Sequence, residues 1–204
     1  MAVSPTQLAA VLLTGGRSKR MGQDKAFLTC APNKNPLWLL QLKKLHALNP
    51  AHLHIAAHPD QHFPPETLAP LNATVQPDPD PHSGPLAAFL SCPADFLLPL
   101  AVDMPALPVE TLQNLITTAH PQKGLVFQDD DHNRYQPFPA LYPSAITTLA
   151  HEKLDRGELS IQGLIKEAVA RDILHSQPLP AKLTLLFTSI NTPEDLASLH
   201  HSPS

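Results

Sequence analysis

The amino-acid sequence predicts an α/β protein with a mostly parallel central sheet. Short apolar runs at 9–13, 53–57 and 96–102 have the length and composition of buried strands. Between these runs, segments 36–48 and 109–119 carry leucine and isoleucine at helical spacing. Strands that alternate with helices in this way favour parallel strands joined by crossover helices.

The remaining elements follow from local signals. In chain order we predict helix 36–48, strand 53–57, a short strand 73–76 within the proline-rich loop 59–83, a helix from 84 to 92, strand 96–102, helix 109–119, strand 125–128, a hairpin turn at 129–131, strand 135–142, helices 143–153 and 160–171, a last strand 183–187 and a helix start at 192. Pro36 suits a first helical turn, and Ser160 and Thr192 suit helix caps. Pro99 suggests a bulge or a sheet edge, because proline lacks the backbone donor of a ladder.

Composition excludes several classes of protein. A chain of 204 residues with 43% hydrophobic residues can form one sizeable domain, and we expect a single domain over 1–204. A net charge of -4 argues against a nucleic-acid binder. Cys30 and Cys92 are too few for a disulfide framework, and no apolar run has the roughly 20 residues that span a bilayer. We therefore expect a cytoplasmic protein without a membrane or nucleic-acid partner.

The most informative segment is the glycine-rich stretch, residues 14–25 (TGGRSKRMGQDK), which follows the first strand. Gly15 and Gly16 allow close approach of a ligand to the backbone, whose N–H groups can bind anionic oxygens. The stretch also carries four cations that can bind phosphates, namely Arg17, Lys19, Arg20 and Lys25. It matches neither the phosphate-binding loop of nucleotide hydrolases nor the dinucleotide fingerprint. A basic, solvated loop is the simpler alternative.

Asp103 directly follows the apolar run 96–102. An acid at the carboxyl end of a central parallel strand points into the crevice where open α/β sheets bind ligands. Mg²⁺ in phosphate sites is commonly held by one or two carboxylates together with substrate oxygens and water. Asp103 is therefore our candidate metal ligand, and a turn cap is the alternative. The adjacent acids at 129–131 are interpreted as a solvated turn.

The run 13–28, LTGGRSKRMGQDKAFL, resembles the motif L-x-G-G-x-S-x-R-M-G-x-D-K-x-L of the molybdenum cofactor guanylyltransferases. Segments GPLA (84–87), VDMP (102–105) and INTPEDL (190–196) match that family in the same order. The resemblance covers almost the whole chain. It implies a three-layer, Rossmann-like nucleotidyltransferase fold, with a nucleotide-binding half at about 1–105 and an acceptor-binding half at about 106–204.

The resemblance also implies roles for individual residues. The catalytic residues would be Arg20, Lys25 and Asp103, and Asp103 would hold Mg²⁺. The nucleotide would contact Leu13, Thr14, Gly15, Gly16, Lys25, Asp78 and Asp103. Asp80 competes with Asp78 for the base contact, and either acid is also explained as a turn residue. Asn191 is equally well explained as a ligand of phosphate or metal and as a structural turn residue.

The implied reaction is transfer of GMP from GTP to the molybdopterin cofactor, with release of pyrophosphate. The implied partners are GTP, the molybdenum cofactor, other proteins of its biosynthesis and the molybdoenzymes that accept it. His58 stands where the family has an asparagine that contacts the nucleotide, which leaves that contact open. Two alternatives remain: a cytidylyltransferase acting on a phosphorylated acceptor, and a non-catalytic nucleotide or cofactor carrier.

Overall fold

The computed structural model describes residues 3–15, 24–30, 35–77, 86, 89–90, 93–129, 134–192 and 195. The strands in these residues are β1 (Leu8–Leu13), β2 (Thr29–Cys30), β3 (Asn35–Pro36), β4 (His52–Ala57), β5 (Ala73–Pro77), β6 (Phe96–Ala101), β7 (Gly124–Asp129), β8 (Arg134–Pro143) and β9 (Leu174–Pro178). The helices are α1 (Leu37–His46), α2 (Pro65–Leu68), α3 (Val109–Thr118), α4 (Ala145–Asp155) and α5 (Ile161–Ala170).

Seven strands form the main sheet, in the order β5-β4-β1-β6-β8-β7-β9. Every adjacent pair is parallel except the two pairs that involve β8. The mostly parallel sheet predicted from the sequence is therefore confirmed. The chain passes from β1 to β4 and β5 on one side and then returns to β6 on the other. The strand order thus reverses between β1 and β6, where open α/β sheets bind ligands beyond the carboxyl ends of the strands.

Side chains of β1 alternate between two cores. Leu8, Ala10 and Leu12 pack in a core that includes leucines of α1 and α3. Ala9 and Val11 pack in a second core with residues of α4 and α5. This alternation follows from the two-residue period of a strand. Helices therefore cover both faces of the sheet, which gives the three layers expected.

The end of the chain differs from the prediction. Residues 183–187 were predicted as the last strand, but they belong to a 3-10 helix, Ala181–Phe187. The last strand among the described residues is instead β9, which was not predicted and pairs in parallel with β7 at one edge of the sheet. Only Leu174 of β9 is buried, so the segment LHSQP lacks the apolar run that marks a central strand. The 3-10 helix buries Phe187 but leaves Leu185 82% exposed.

Two further expectations needed correction or refinement. The loop predicted at 59–83 contains the short helix α2 and a 3-10 turn, Ala69–Leu71, before β5. Pro99 lies neither at a bulge nor at an edge, since β6 is central and pairs with β1 along its whole length. The ladder between β6 and β8 comprises only the pairs at Phe96 and Leu97, so it ends before the proline.

The helix predicted from 84 to 92 lies largely outside the described residues, and so does most of the turn at 129–131. The hairpin on either side of that turn is confirmed by the pairing of Asp129 with Arg134. The cap at Ser160 is also confirmed, because its side-chain oxygen accepts a hydrogen bond from Gly163 N.

Candidate active site

The glycine-rich stretch and the Asp103 segment begin side by side at the same edge of the sheet. Leu13, the last residue of β1, is paired with Ala101, the last residue of β6. Val102 N donates to Leu13 O at 3.0 Å, which continues the pairing one step beyond the strands. Thr14 and Asp103 therefore leave neighbouring parallel strands at their carboxyl ends. The two motifs thus meet at one edge of the sheet, as predicted, and we call the region beyond this edge the crevice.

Lys25 enters the crevice from a short 3-10 helix, Lys25–Phe27. Asp24 caps this helix, because its Oδ1 accepts a hydrogen bond from Ala26 N at 2.9 Å. The side chains of Ala26 and Leu28 are buried and anchor the segment in the core. The Lys25 ammonium lies 3.3 Å from Asp103 Oδ2 and donates to Asn191 Oδ1 at 3.0 Å. Its side chain is 14% exposed, and that of Asp103 is 24% exposed.

Asn191 is held at this position by backbone contacts. Ile190 N donates to Asp103 O at 2.8 Å, which ties the segment before Asn191 to the aspartate itself. Asp195 Oδ2 accepts from the N–H groups of Asn191 and Thr192, and Thr192 Oγ1 accepts from Asp195 N. The hydrogen bonds from the backbone N–H groups, that of Asn191 first and that of Thr192 second in size, lower the pKa of Asp195. The cap predicted at Thr192 is thus present.

Helix α1 supports the segment that carries Asp103. Gln41 Nε2 donates to Ala101 O at 3.3 Å. One turn further, the Lys44 ammonium donates to Pro105 O and Leu107 O, both at 2.7 Å. Asp103 lies between these anchored carbonyls, so the position of its backbone is fixed from both sides.

The sequence analysis missed Gln61, which connects three parts of the crevice. Its amide contacts Thr14, Asp24 and the backbone N–H of His58. Gln61 lies a few residues beyond the end of β4, and Thr14 directly follows β1. Because β4 and β1 are neighbours in the sheet, the two residues are close together. A sequence signal existed in the turn sequence HPDQ after a predicted strand, but it did not specify the direction of the glutamine side chain.

The other predicted site residues divide into two groups. Leu13, Thr14 and Gly15 line up at the end of β1, where Thr14 is 2% exposed and Gly15 is exposed. A Cβ added to Gly15 would meet no heavy atom of the described residues within 4 Å. Predicted positions that lie outside the described residues are Gly16, Arg17, Lys19, Arg20, Asp78 and Asp80. The roles of both groups toward a nucleotide stay predictions.

His58, where the resembling family has an asparagine, is turned toward its own loop. Its backbone N–H donates to Gln61 Oε1 at 2.9 Å. Its ring Nδ1 lies 3.3 Å from Asp60 Oδ2 and also accepts from Asp60 N. A contact between His58 and a nucleotide therefore stays open.

The oxygens around Lys25 suit a hard cation. Asp103 Oδ2 and Asn191 Oδ1 already converge on one positive group, the Lys25 ammonium. Carboxylate and amide oxygens are ligands that Mg²⁺ accepts, with phosphate oxygens and water completing its octahedron. In the described part of the chain, no cluster of three or more His, Cys, Asp or Glu side chains could hold a metal by itself. A divalent ion at Asp103 would therefore take most of its ligands from water or from a bound phosphate.

No helix among the described residues is both long enough and apolar enough to cross a membrane.

Comparison with known proteins gives consistent matches. The family model of the MobA-like NTP transferase domain matches residues 10–173. A probable molybdenum cofactor guanylyltransferase of Opitutus terrae is 28% identical over 202 residues, which cover 96% of each chain. Among solved structures, the molybdopterin-guanine dinucleotide biosynthesis protein A of Archaeoglobus fulgidus has a TM-score of 0.67 and 20% identity, with 94% of this chain and 96% of that chain covered.

The fold is equally similar to that of a different transferase. The 2-C-methyl-D-erythritol 4-phosphate cytidylyltransferase of Thermus thermophilus also has a TM-score of 0.67, at 16% identity and with 98% of each chain covered. The backbone fold therefore does not discriminate between these two kinds of nucleotidyltransferase.

Proposed function

Because this chain belongs to the family of MobA-like NTP transferase domains, we propose that it is a molybdenum cofactor guanylyltransferase. In the proposed reaction, GMP passes from GTP to the molybdopterin cofactor and pyrophosphate is released. The name carried by the Opitutus terrae relative, which matches over nearly the whole of both chains, supports this reaction. The glycine-rich stretch supports it too, since Asp24 directly before Lys25 resembles the guanylyl pattern.

The observation that carries the proposal is the meeting of Lys25 with Asp103 and Asn191 at the carboxyl ends of β1 and β6. A cation that reaches a phosphate and an acid that can bind a divalent ion are the two groups that nucleotidyl transfer needs. Both stand where the strand order reverses.

The chemistry requires positioning and charge neutralisation. A terminal phosphate oxygen of the acceptor forms a bond to the α-phosphorus of GTP, and the bond from that phosphorus to the bridging oxygen of pyrophosphate breaks. The attacking phosphate is already anionic at neutral pH, so a general base is not needed. Lys25 and Arg20 would bind the β- and γ-phosphates and stabilise the negative charge that develops on the leaving pyrophosphate. Leu13, Thr14, Gly15, Gly16 and Asp78 would shape the nucleotide pocket.

Asp103, with Asn191 beside it, would hold Mg²⁺ in this scheme. A bound Mg²⁺ would neutralise phosphate charge and orient the triphosphate. Lys25 would leave Asp103 when the nucleotide binds, because the phosphates offer the ammonium a stronger set of oxygens. The acceptor would lie beside the half of the chain that starts at about residue 106.

A second candidate is a cytidylyltransferase, which the equal TM-scores of the two kinds of solved structure keep open. The test uses nucleotides labelled at the α-phosphorus, with Mg²⁺ and purified molybdenum cofactor. We expect label from GTP to appear in a pterin dinucleotide, with one pyrophosphate released for each transfer. Label transfer from CTP in preference to GTP would replace the guanylyl assignment. Tight nucleotide binding without any transfer would favour the carrier.

Two variants test the site itself. Asp103→Asn should reduce kcat by on the order of 100-fold or more, because the amide lacks the charge that holds the metal. Lys25→Met should reduce kcat by on the order of 100-fold, because the negative charge on the leaving pyrophosphate would lose a stabilising cation. Lys166→Met, an exposed position on α5, removes the same charge as Lys25→Met and should leave kcat unchanged. Wild-type turnover by Asp103→Asn would reject Asp103 as metal ligand.

A further inference from the structure

We propose that Gln61 is a positioning residue that joins the two ends of the glycine-rich stretch and so sets Lys25 against Asp103. Its kinetic consequence rests on the proposed function, whereas its effect on Lys25 does not. Gln61 touches none of the groups that would react. It acts through Thr14 and Asp24, the residues that precede and follow residues 15–23.

Both ends of the Gln61 amide are hydrogen-bonded. Oε1 accepts from His58 N at 2.9 Å and lies 2.8 Å from Thr14 Oγ1. Nε2 donates to Thr14 O at 3.2 Å and to Asp24 Oδ2 at 2.7 Å. Both donor protons of the amide are therefore used. Its oxygen accepts the His58 N–H and shares the single proton of the Thr14 hydroxyl with Ala56 O, which also lies 2.8 Å from Thr14 Oγ1. These contacts hold the side chain in one orientation.

The partners themselves decide which end of the amide points where. Asp24 Oδ2 and Thr14 O can only accept, so the nitrogen must face them. His58 N can only donate, so the oxygen must face it. A flipped amide would lose three of these contacts and would place oxygen against the Asp24 carboxylate. The orientation therefore follows from chemistry rather than from the shape of the site.

Gln61 is itself fixed to the sheet. Gln61 N donates to His58 O at 2.9 Å, which closes a turn over residues 58–61. Pro59 is the second residue of this turn, a position that proline favours. His58 directly follows β4, and β4 is paired with β1 over five residues. Thr14 adds a second tie to β4, because its N–H donates to Ala56 O at 3.2 Å. The base from which Gln61 reaches Asp24 is thus part of the sheet.

Asp24 transmits this position to Lys25. One carboxylate oxygen of Asp24 binds Gln61, and the other caps the 3-10 helix that begins at Lys25. The single Gln61–Asp24 contact therefore ties the start of that helix to the end of β1. Without Gln61, Asp24 Oδ2 and Thr14 O would each lose the amide proton that they accept, and the crevice would lose its link across the stretch.

Three variants and one matched control test the proposal. Gln61→Leu removes all four polar contacts and keeps a side chain of similar size. Gln61→Glu keeps the acceptor but sets a second carboxylate against Asp24, and Asp24→Asn in the same chain returns a donor to that contact. The control is Gln7→Leu, since Gln7 Nε2 donates to Asp95 Oδ2 at 2.9 Å and Oε1 accepts from Ser4 N. This half-buried amide bridges the opposite, amino ends of β1 and β6.

The first readout needs no activity. Each protein is acetylated at limiting reagent, and the rate at Lys25 is measured by peptide mass spectrometry relative to the other lysines. We expect Lys25 to react at least threefold faster in Gln61→Leu and in Gln61→Glu than in wild type, and at the wild-type rate in Gln7→Leu. An unchanged rate at Lys25 in both Gln61 variants overturns the proposal, even if the protein proves not to transfer GMP.

The second readout is kcat/KM for GTP, measured on protein shown to be folded by its melting transition. A misplacement of about 1 Å costs on the order of 100-fold in rate, so we expect losses of that size in both single Gln61 variants. The double variant should regain at least tenfold over Gln61→Glu, since the swapped pair is complementary again. Loss of melting temperature with kcat/KM within twofold of wild type would make Gln61 merely structural and overturn the proposal. A double variant no faster than Gln61→Glu would also contradict it.

Discussion

Replacing Lys25 with methionine should raise the affinity of the nucleotide-free protein for a divalent cation. The Lys25 ammonium lies 3.3 Å from Asp103 Oδ2 and 3.0 Å from Asn191 Oδ1. These are the oxygens that we propose for Mg²⁺, so an incoming metal ion must first displace the ammonium. Methionine has a similar length and no charge, and it leaves both oxygens to the metal.

The expected size of this effect follows from the charge separation. Opposite unit charges 3.3 Å apart attract by about 1.3 kcal/mol at the dielectric constant of water and by about 5 kcal/mol at an effective value of 20. Both side chains are partly exposed, and the displaced ammonium regains water, so most of that attraction is offset. We expect a net gain of about 1 to 2 kcal/mol, which corresponds to a roughly 5- to 30-fold lower Kd.

The assay is titration with Mn²⁺, whose free form is counted by its electron paramagnetic resonance signal. Lys25→Met should bind Mn²⁺ more tightly than wild type, and Lys166→Met should match wild type. Adding a non-hydrolysable GTP analogue should shrink the difference, because phosphates draw Lys25 away from Asp103 in the wild type. A Kd for Mn²⁺ that is unchanged or higher in Lys25→Met would refute the idea that ammonium and metal share these oxygens.

Three other predictions concern stability and are checked by urea unfolding. Burial, and to a smaller extent His52, lowers the pKa of His54 to about 4. His54 therefore takes up a proton below pH 6.5 in the unfolded chain but stays neutral in the folded protein down to about pH 4. The unfolding free energy should consequently fall by about 2 kcal/mol as the pH falls from 7 to 5. His54→Asn should reduce this dependence on pH. Gly124→Ala should lower the unfolding free energy by about 3 kcal/mol, because the added Cβ would lie 2.1 Å from Leu141 O. The control Gly163→Ala, in α5, should leave the unfolding free energy unchanged or raise it by up to about 1 kcal/mol. Lys44→Met should lower the unfolding free energy by about 2 kcal/mol, because two charge-assisted hydrogen bonds are lost.

Much of the fold was predictable because its signals are local. The strand β1 is an uninterrupted apolar run, and α3 and α5 show helical spacing of leucine and isoleucine. The errors occurred where local signals were weak or ambiguous. The segment of β9 is mostly polar since it lies at an edge of the sheet, and the apolar run at 183–187 contains too few residues to reveal whether it is extended or helical.

The sequence by itself determined where the candidate site lies on the sheet. Apolar runs that end at Thr14 and at Asp103 place both residues at carboxyl ends of parallel strands, because strand direction and chain order fix that edge. Only the tertiary structure decided what meets there. Asn191 contacts Lys25 from 166 positions away, and Gln61 contacts Asp24 from 37 positions away. Contacts of that separation depend on how strands are ordered and how loops turn above the sheet, and no local pattern of residues encodes the direction of a single amide.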